Sequence, residues 1–315
     1  MIFILNIASC SMATKEQNAI EQDVPKETIA QQEVPNTNEI IDKLCSDEFS
    51  GRLVGSEGNE KTANYISKIF EDIGLKPLNG EFYYKPYEQE VYKKYGLVDD
   101  NDNGENKTIN NVVGVIKGTD SKKAIVISAH FDHVGYQDGK IIRGALDNAS
   151  GVAALIKIAD ILNNKSKNNT FSRDIIIASF NGEETGQEGS KAFVDDIKDK
   201  YSNLYNINID CVGGKKAGDI SLNNKSKVSD KLTAEMKKTF TDNEMKFSDK
   251  ILKGATSDHK SFEDGGIPNI YIGQDNLKPY THNFDDNPDS LNCDEINKVV
   301  KTICDFIEKN HEHDF

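Results

Sequence analysis

The sequence predicts an α/β domain with a mixed, mostly parallel central sheet flanked by helices on both faces. Three observations carry that prediction. From about residue 38 onward, short apolar runs rich in Ile and Val alternate with stretches of helical periodicity. The runs are apolar at consecutive positions, as strands covered on both faces are. Ionisable residues gather directly after those runs, where sheets of this class build their sites.

Asn38–Phe49 and Glu57–Gly74 read as amphipathic helices; in the second, Ala63, Ile66, Ile69, Phe70 and Ile73 recur at helical spacing before Gly74 and Pro77 end it. Residues 81–95 alternate aromatic and polar side chains, as a strand or hairpin does. Asn111–Lys117 and Ala124–Ala129 are short β-rich runs, followed by a helix over Ser150–Leu162 with Leu155, Ile158, Ala159 and Leu162 on one face. The alternation continues as strand Asp174–Phe180, helix Gly189–Asp199, strand Leu204–Cys211, helix Asp230–Thr241, strand Pro268–Ile272 and helix Asp294–Lys309. No internal repeat and no second domain interrupts it.

Composition narrows the function. The 315 residues carry a formal charge of −14, which argues against a nucleic-acid or anionic-membrane surface. The 37% hydrophobic content, with 14 Phe and 11 Tyr, is enough for a real core. Five Cys without CxxC spacing suggest neither a disulfide framework nor a Cys-type zinc finger. Residues 1–9 are apolar and end in small side chains before Cys10, as a secretory signal does, and Ile7-Ala8-Ser9-Cys10 resembles a bacterial lipobox. No Lys or Arg precedes the apolar run. The expected organisation is a signal segment over 1–10, a polar tether over 11–37, and a catalytic domain over 38–315. That places the domain outside the cytoplasm, secreted or lipid-anchored through Cys10, with no other membrane contact.

The chemistry lies at the strand ends. AHFDH follows Ala124–Ala129, FNGEE follows the 174–180 run, and NIDC closes Leu204–Cys211. A fourth cluster, Gly144-Ala145-Leu146-Asp147-Asn148-Ala149-Ser150-Gly151, opens a helix, and His282 stands in PYTHNFDD before the last one. Singly, each is an ordinary hydrogen-bonded or solvated group. Together, several strands ending in carboxylates at one sheet edge would repel one another unless a cation were present. Histidine with Asp and Glu, and no Cys, suits Zn²⁺ or a neighbouring divalent metal.

HFDH, RGALDNASGVAAL, FNGEETGQEGSKAF, NIDCVG, SDHKSFEDGGIP and YTHNFDDNPDSL resemble the successive motifs of zinc aminopeptidases with two co-catalytic metals, the aminopeptidase Y-like exopeptidases of which glutaminyl cyclases are a divergent branch. The match runs from FSGRLVGS (49–56) to the C-terminus, and the roughly forty residues between Phe70 and Asn111 leave no room for the inserted protease-associated domain many members carry. The resemblance implies a zinc exopeptidase-like fold and two Zn²⁺ per chain. It makes His130, Asp147 and Asp210 ligands of one zinc, and Asp147, Glu184 and His282 ligands of the other, with Asp147 bridging. Asp132 would orient the His130 imidazole, Glu183 would be the general base, and the Asp147-Asn148 peptide would be cis.

Around that set stand Tyr280, as a phenol for the oxyanion, and Asp258-His259 near the pocket. Of the three Arg, Arg52, Arg143 and Arg173, Arg143 lies four residues before Asp147 and could meet a substrate carboxylate, although a surface hairpin charge after Asp138-Gly139 is the favoured reading. The function implied is removal of the N-terminal residue from peptides. The alternatives are a carboxypeptidase or dipeptidase of the same fold, a glutaminyl cyclase, and a non-catalytic surface-binding lipoprotein. An acidic site accepts an α-ammonium readily, and the intact His130–Asp132 pair favours hydrolysis over cyclisation. The sequence sets no oligomeric state, and a monomer is consistent with it.

Overall fold

The computed structural model describes residues 33–95, 104–223, 226–249 and 256–315, and residues 33–315 form one unit. The signal segment, Cys10 and the tether up to residue 32 lie outside the described residues. The chain opens with α1 (Thr37–Leu44), closed at its N-terminus by a reciprocal capping box between Asn36 and Glu39. The predicted Asn38–Phe49 helix is shorter here. It stops at Cys45, and a 3₁₀ segment follows over Asp47–Arg52, where Ser50 and Gly51 take left-handed backbone angles that no α-helix continues through. Next is α2 (Glu57–Ile73), capped by Ser56 and ended by Gly74 at φ 88°, as its sequence predicts.

The strands are β1 (Lys76–Pro77), β2 (Tyr84–Val91), β3 (Glu105–Ile116) and β4 (Asp120–His130), then a small hairpin of β5 (Tyr136–Gln137) and β6 (Lys140–Ile141). After α3 (Ser150–Ser166) come β7 (Arg173–Phe180), α4 (Glu188–Ile197), β8 (Asn203–Ile209), β9 (Ile220–Asn223), α5 (Asp230–Asp242), β10 (Phe247–Ser248), α6 (His259–Asp264), β11 (Asn269–Gln274) and α7 (Cys293–Asn310). Among the described residues the main sheet has nine strands in the order β1-β3-β7-β4-β8-β11-β9-β10, with β2 also paired to β3. Its centre, β7-β4-β8-β11, is parallel, while β3 and β9 attach antiparallel on either side. The sheet is therefore mixed and mostly parallel at its core.

Both faces are covered. Ile125, Ile127, Ile175, Ile177, Ile207 and Ile209 pack under α1, α2, α3, α5 and α7. Their neighbours Val126, Ile176, Ala178 and Phe180 face α4 and α6 through Phe193, Val194, Ile197 and Phe262. Each such Ile or Phe, fully buried, contributes about 1.5–3 kcal/mol. No helix among the described residues is long and apolar enough to cross a membrane.

Register decides where the site forms. His130 sits opposite Phe180 and Ser128 opposite Asn208, so β4, β7 and β8 end level with one another. The residues just past those ends, together with the start of α3, share one edge of the sheet.

Candidate metal centre

β4 delivers His130 as its last residue, β8 places Asp210 one residue past its end, and the turn after β7 carries Glu183 and Glu184. Asp147 stands on the irregular turn that leads into α3, with its peptide to Asn148 in the cis form. His282 comes from the loop between β11 and α7. Asp147 divides its carboxylate between two groups: Oδ1 lies 3.4 Å from His130 Nε2, and Oδ2 lies 3.4 Å from His282 Nε2. His130 Nε2 is also 3.4 Å from Asp210 Oδ1, and His282 Nε2 is 2.8 Å from Glu184 Oε2. Two potential ligand sets therefore share one aspartate.

The second set holds a further imidazole. His133, fully buried, places Nδ1 2.9 Å from Glu184 Oε1. Its sequence signal was the second His of HFDH, overlooked because the resemblance assigned only the first.

Supporting contacts hold the ligands. The Asp132 carboxylate accepts the backbone N–H groups of Glu183 and Glu184, each at 3.1 Å, and so fixes the turn bearing both acids. Its relation to His130 differs from the expectation: the imidazole Nδ1 lies 3.2 Å from the Asp132 backbone oxygen and 3.6 Å from its carboxylate. Asp286, buried, accepts from Leu146 N at 2.6 Å and Asp147 N at 3.1 Å. Asn148 donates to Ile209 O and accepts from Gly151 N and Cys211 N, joining the start of α3 to the end of β8. A Cβ at Gly151 would stand 2.5 Å from Ile209 O, so only glycine allows that approach.

Arg52 is fully buried, as is Arg173, and its guanidinium donates to the carbonyls of Phe131, Leu44, Arg143 and Gly144. One cation thus ties the HFDH loop to the strand of chain that leads into Asp147.

Burial disfavours charge on His130 and His282, and the carboxylates around them outweigh it. His282 is pushed up to about 10 by Asp147 and Glu184 against the effect of burial, and His130 is raised well above its usual range by Asp210, Asp132 and Asp147. Burial would raise Asp147, yet the His130 and His282 imidazoles, each 3.4 Å from one of its oxygens, hold it well below the usual carboxylate range. The carboxylates around His130 and His282 favour positive charge at that point. Buried His130 Nε2, His133 Nε2 and Asp210 Oδ1 have no hydrogen-bond partner among the described residues. Orphaned donors of these types, converging without Cys, fit a divalent cation.

Glu183 behaves oppositely. Burial first, then the charges of Glu184, Asp258 and Asp210, raise it well above the ordinary carboxylate range. Its Oε1 accepts from Gln187 Nε2 at 3.1 Å. Asp258 is fully buried and pushed up to about 7 by burial, in the field of His130, Asp132 and Asp210; His259 packs its ring on Tyr271 at 4.9 Å.

Two expected site residues point elsewhere. Tyr280 is buried in the main core, and its hydroxyl accepts from Lys216 N at 2.7 Å. Arg143 donates to Cys45 O and Asp47, tying down the turn after α1, because the α1–3₁₀ corner offers those acceptors.

The chain belongs to peptidase family M28, whose profile matches residues 111–307. It is a hydrolase of the peptidase class on that ground. The fold is similar to that of solved structures. A zinc aminopeptidase from Bacillus subtilis aligns with a TM-score of 0.67 at 14% identity, covering 88% of this chain and 96% of the other. A leucine aminopeptidase precursor from Bacteroides thetaiotaomicron aligns with a TM-score of 0.67 at 21% identity, covering 88% and 99%. The glutaminyl cyclase of Porphyromonas gingivalis aligns with a TM-score of 0.66 at 18% identity, covering 89% and 99%. No curated protein sequence matches the chain significantly.

Proposed function

We propose that the chain is a two-zinc aminopeptidase that removes the N-terminal residue of peptides. The observation that carries this reading is Asp147, which turns one carboxylate oxygen to His130 and Asp210 and the other to His282 and Glu184. His130, Asp147 and Asp210 would hold one Zn²⁺, and Asp147, Glu184 and His282 the other. Bound there, the two ions would polarise the substrate carbonyl, acidify the attacking water and offset the burial and carboxylate charges that raise Glu183. Three carboxylates against two divalent ions and a hydroxide leave the buried centre neutral, which a low-dielectric crevice tolerates.

Glu183 then takes the proton of the attacking water and returns it to the leaving amine. Gln187 holds Glu183 Oε1, so proton transfer falls to Oε2. Asp132 keeps the two glutamates in their separate roles by fixing both of their peptide N–H groups. His133 steadies the Glu184 carboxylate from the side away from His282. The acidic surroundings favour a free α-ammonium on the substrate. Arg143 is engaged with Cys45 O and Asp47 and is not held ready for an α-carboxylate, which supports aminopeptidase over carboxypeptidase action. The lipobox-like Ile7-Ala8-Ser9-Cys10 supports an extracytoplasmic enzyme tethered by lipid, tested by palmitate incorporation that Cys10→Ala abolishes.

A panel of aminoacyl-nitroanilides, N-blocked peptides and N-terminal glutaminyl peptides tests the main reading. Amine release from free N-termini alone is the expected result. Cleavage confined to blocked peptides, or cyclisation of glutaminyl peptides without hydrolysis, would contradict it.

A further inference from the structure

With Tyr280 turned away, the centre still needs a neutral hydrogen-bond donor at its mouth. The tetrahedral adduct of an attacked carbonyl carries an oxyanion, and the groups of the two ligand sets are carboxylates and imidazoles. Tyr95 is a phenol that stands directly against His282. Its ring meets the His282 ring edge to face, with centroids 5.1 Å apart and planes at 81°. It is half-buried, so one side stays open to an incoming substrate. Burial first, then the charges of Glu184, Asp147, Glu183 and Asp132, raise the Tyr95 hydroxyl above its ordinary value, so it lies within the electrostatic reach of the same cluster. The other nearby phenol, Tyr271, is only 2% exposed and packs beneath His259, out of a substrate's reach.

The position of Tyr95 is fixed through the strand that precedes it. β2 pairs with β3 along its whole length, from Tyr84 opposite Val112 to Val91 opposite Glu105. The same strand braces the turn that carries Glu183 and Glu184: Tyr87 Oη donates to Asn181 O at 2.8 Å, and Gln89 Nε2 donates to Thr185 Oγ1 at 2.6 Å. One strand therefore sets both the acid-bearing turn and, four residues past its end, the phenol on the opposite side of His282.

We propose that Tyr95 is a catalytic residue of this site, donating its phenolic hydrogen to the oxyanion that forms on the substrate carbonyl. A phenol is uncharged at neutral pH, so it adds a donor to the acidic mouth without adding charge. The hydrogen bond strengthens as negative charge develops on the oxygen, which is the condition for lowering a barrier rather than merely tightening binding. The proposal rests on the hydrolase reading above.

The test compares wild type with Tyr95→Phe and Tyr95→Ala, assayed on whichever substrate class the wild type cleaves in the panel. A failed aminopeptidase reading therefore changes the substrate and leaves this comparison intact. Tyr95→Phe keeps the ring against His282 and removes only the hydroxyl. Its expected behaviour is a kcat about 10²-fold lower, with KM within about twofold and zinc content per chain unchanged. Affinity for an α-aminoalkyl boronic acid, whose tetrahedral adduct mimics the oxyanion, should fall by a similar factor. Wild-type kcat and boronate affinity in Tyr95→Phe, with losses appearing only in Tyr95→Ala, would overturn the proposal and leave Tyr95 as packing for His282.

Discussion

Replacing Arg52 tests how the fold builds the site. Its guanidinium makes four hydrogen bonds of 2.8 Å, to Phe131 O, Leu44 O, Arg143 O and Gly144 O, in a fully buried position. Arg52→Met keeps much of the volume and removes every donor. Each buried carbonyl left without a partner costs about 1 kcal/mol at the low end of the usual range, so four amount to about 4 kcal/mol. Not having to desolvate the guanidinium returns part of that, for a net loss of about 3 kcal/mol. Arg52→Lys offers three donors from a point charge and cannot reproduce the planar fork, so a loss of about 2 kcal/mol is expected. Urea unfolding with the metal chelated reads both directly, as a fall in midpoint without a change in slope. A second readout is zinc affinity, which should weaken in both variants because Arg52 links the His130 loop to the chain entering Asp147. A loss below about 1 kcal/mol in Arg52→Met would mean that water replaces the guanidinium, and the reasoning would be wrong.

Other outcomes follow from the same geometry. Glu183→Gln should lower kcat by at least about 10³-fold while zinc content stays at the wild-type level, since Glu183 moves protons and is no ligand in this account; full activity would remove it from the mechanism. His282 in the metal-free protein is protonated below about 10, so zinc uptake at pH 7–8 must expel that proton. Apparent affinity should therefore rise with pH through this range, and calorimetric heats should depend on the buffer's ionisation enthalpy; heats independent of buffer would contradict it. Burial pushes the thiols of Cys45 and Cys304 from 9.0 up to about 12, so the reactive thiolate nearly vanishes in the folded protein at pH 8. Alkylation of these two residues should require unfolding, and rapid native-state labelling would refute that. Arg173 is fully buried and held by His311 O, His313 O, Asn203 and Asp314, so Arg173→Met should destabilise the domain by about 2–4 kcal/mol in the same urea assay.

The parts of this molecule legible in the sequence are those governed by local pattern. The apolar runs of β4, β7 and β8 announced both the parallel centre of the sheet and the edge where His130, Glu183, Glu184 and Asp210 emerge. Ser56 and Gly74 marked the ends of α2. β3 begins at Glu105, earlier than the apolar run at Asn111, because its first half is a half-exposed ribbon with β2 and needs no continuous apolar pattern. β9 and the edge strand β10 are short, and their pairing is decided by their neighbours.

At the site, the residues that grip others across long separations were illegible. Asp286 acts on the peptides of Leu146 and Asp147, some 140 residues away, and Arg52 reaches Arg143 and Gly144. No periodicity encodes such partners. Tyr280 and Arg143 failed as site residues for a related reason: closeness in sequence to His282 and Asp147 says nothing about which way a side chain leaves the backbone. Tyr95, by contrast, meets His282 from a distant part of the sequence, and its sequence neighbourhood gave no hint of metal chemistry.

The most direct test of the central claim is zinc stoichiometry across a set of ligand variants, measured by metal analysis after saturation and gel filtration. Wild type should retain two zinc ions per chain, Asp210→Asn and Glu184→Gln should each retain one, and Asp147→Asn, which touches both ligand sets, should weaken both sites together. A single zinc in wild type, or an Asp147→Asn protein that loses one ion and keeps the other at full affinity, would contradict a centre built on a shared aspartate.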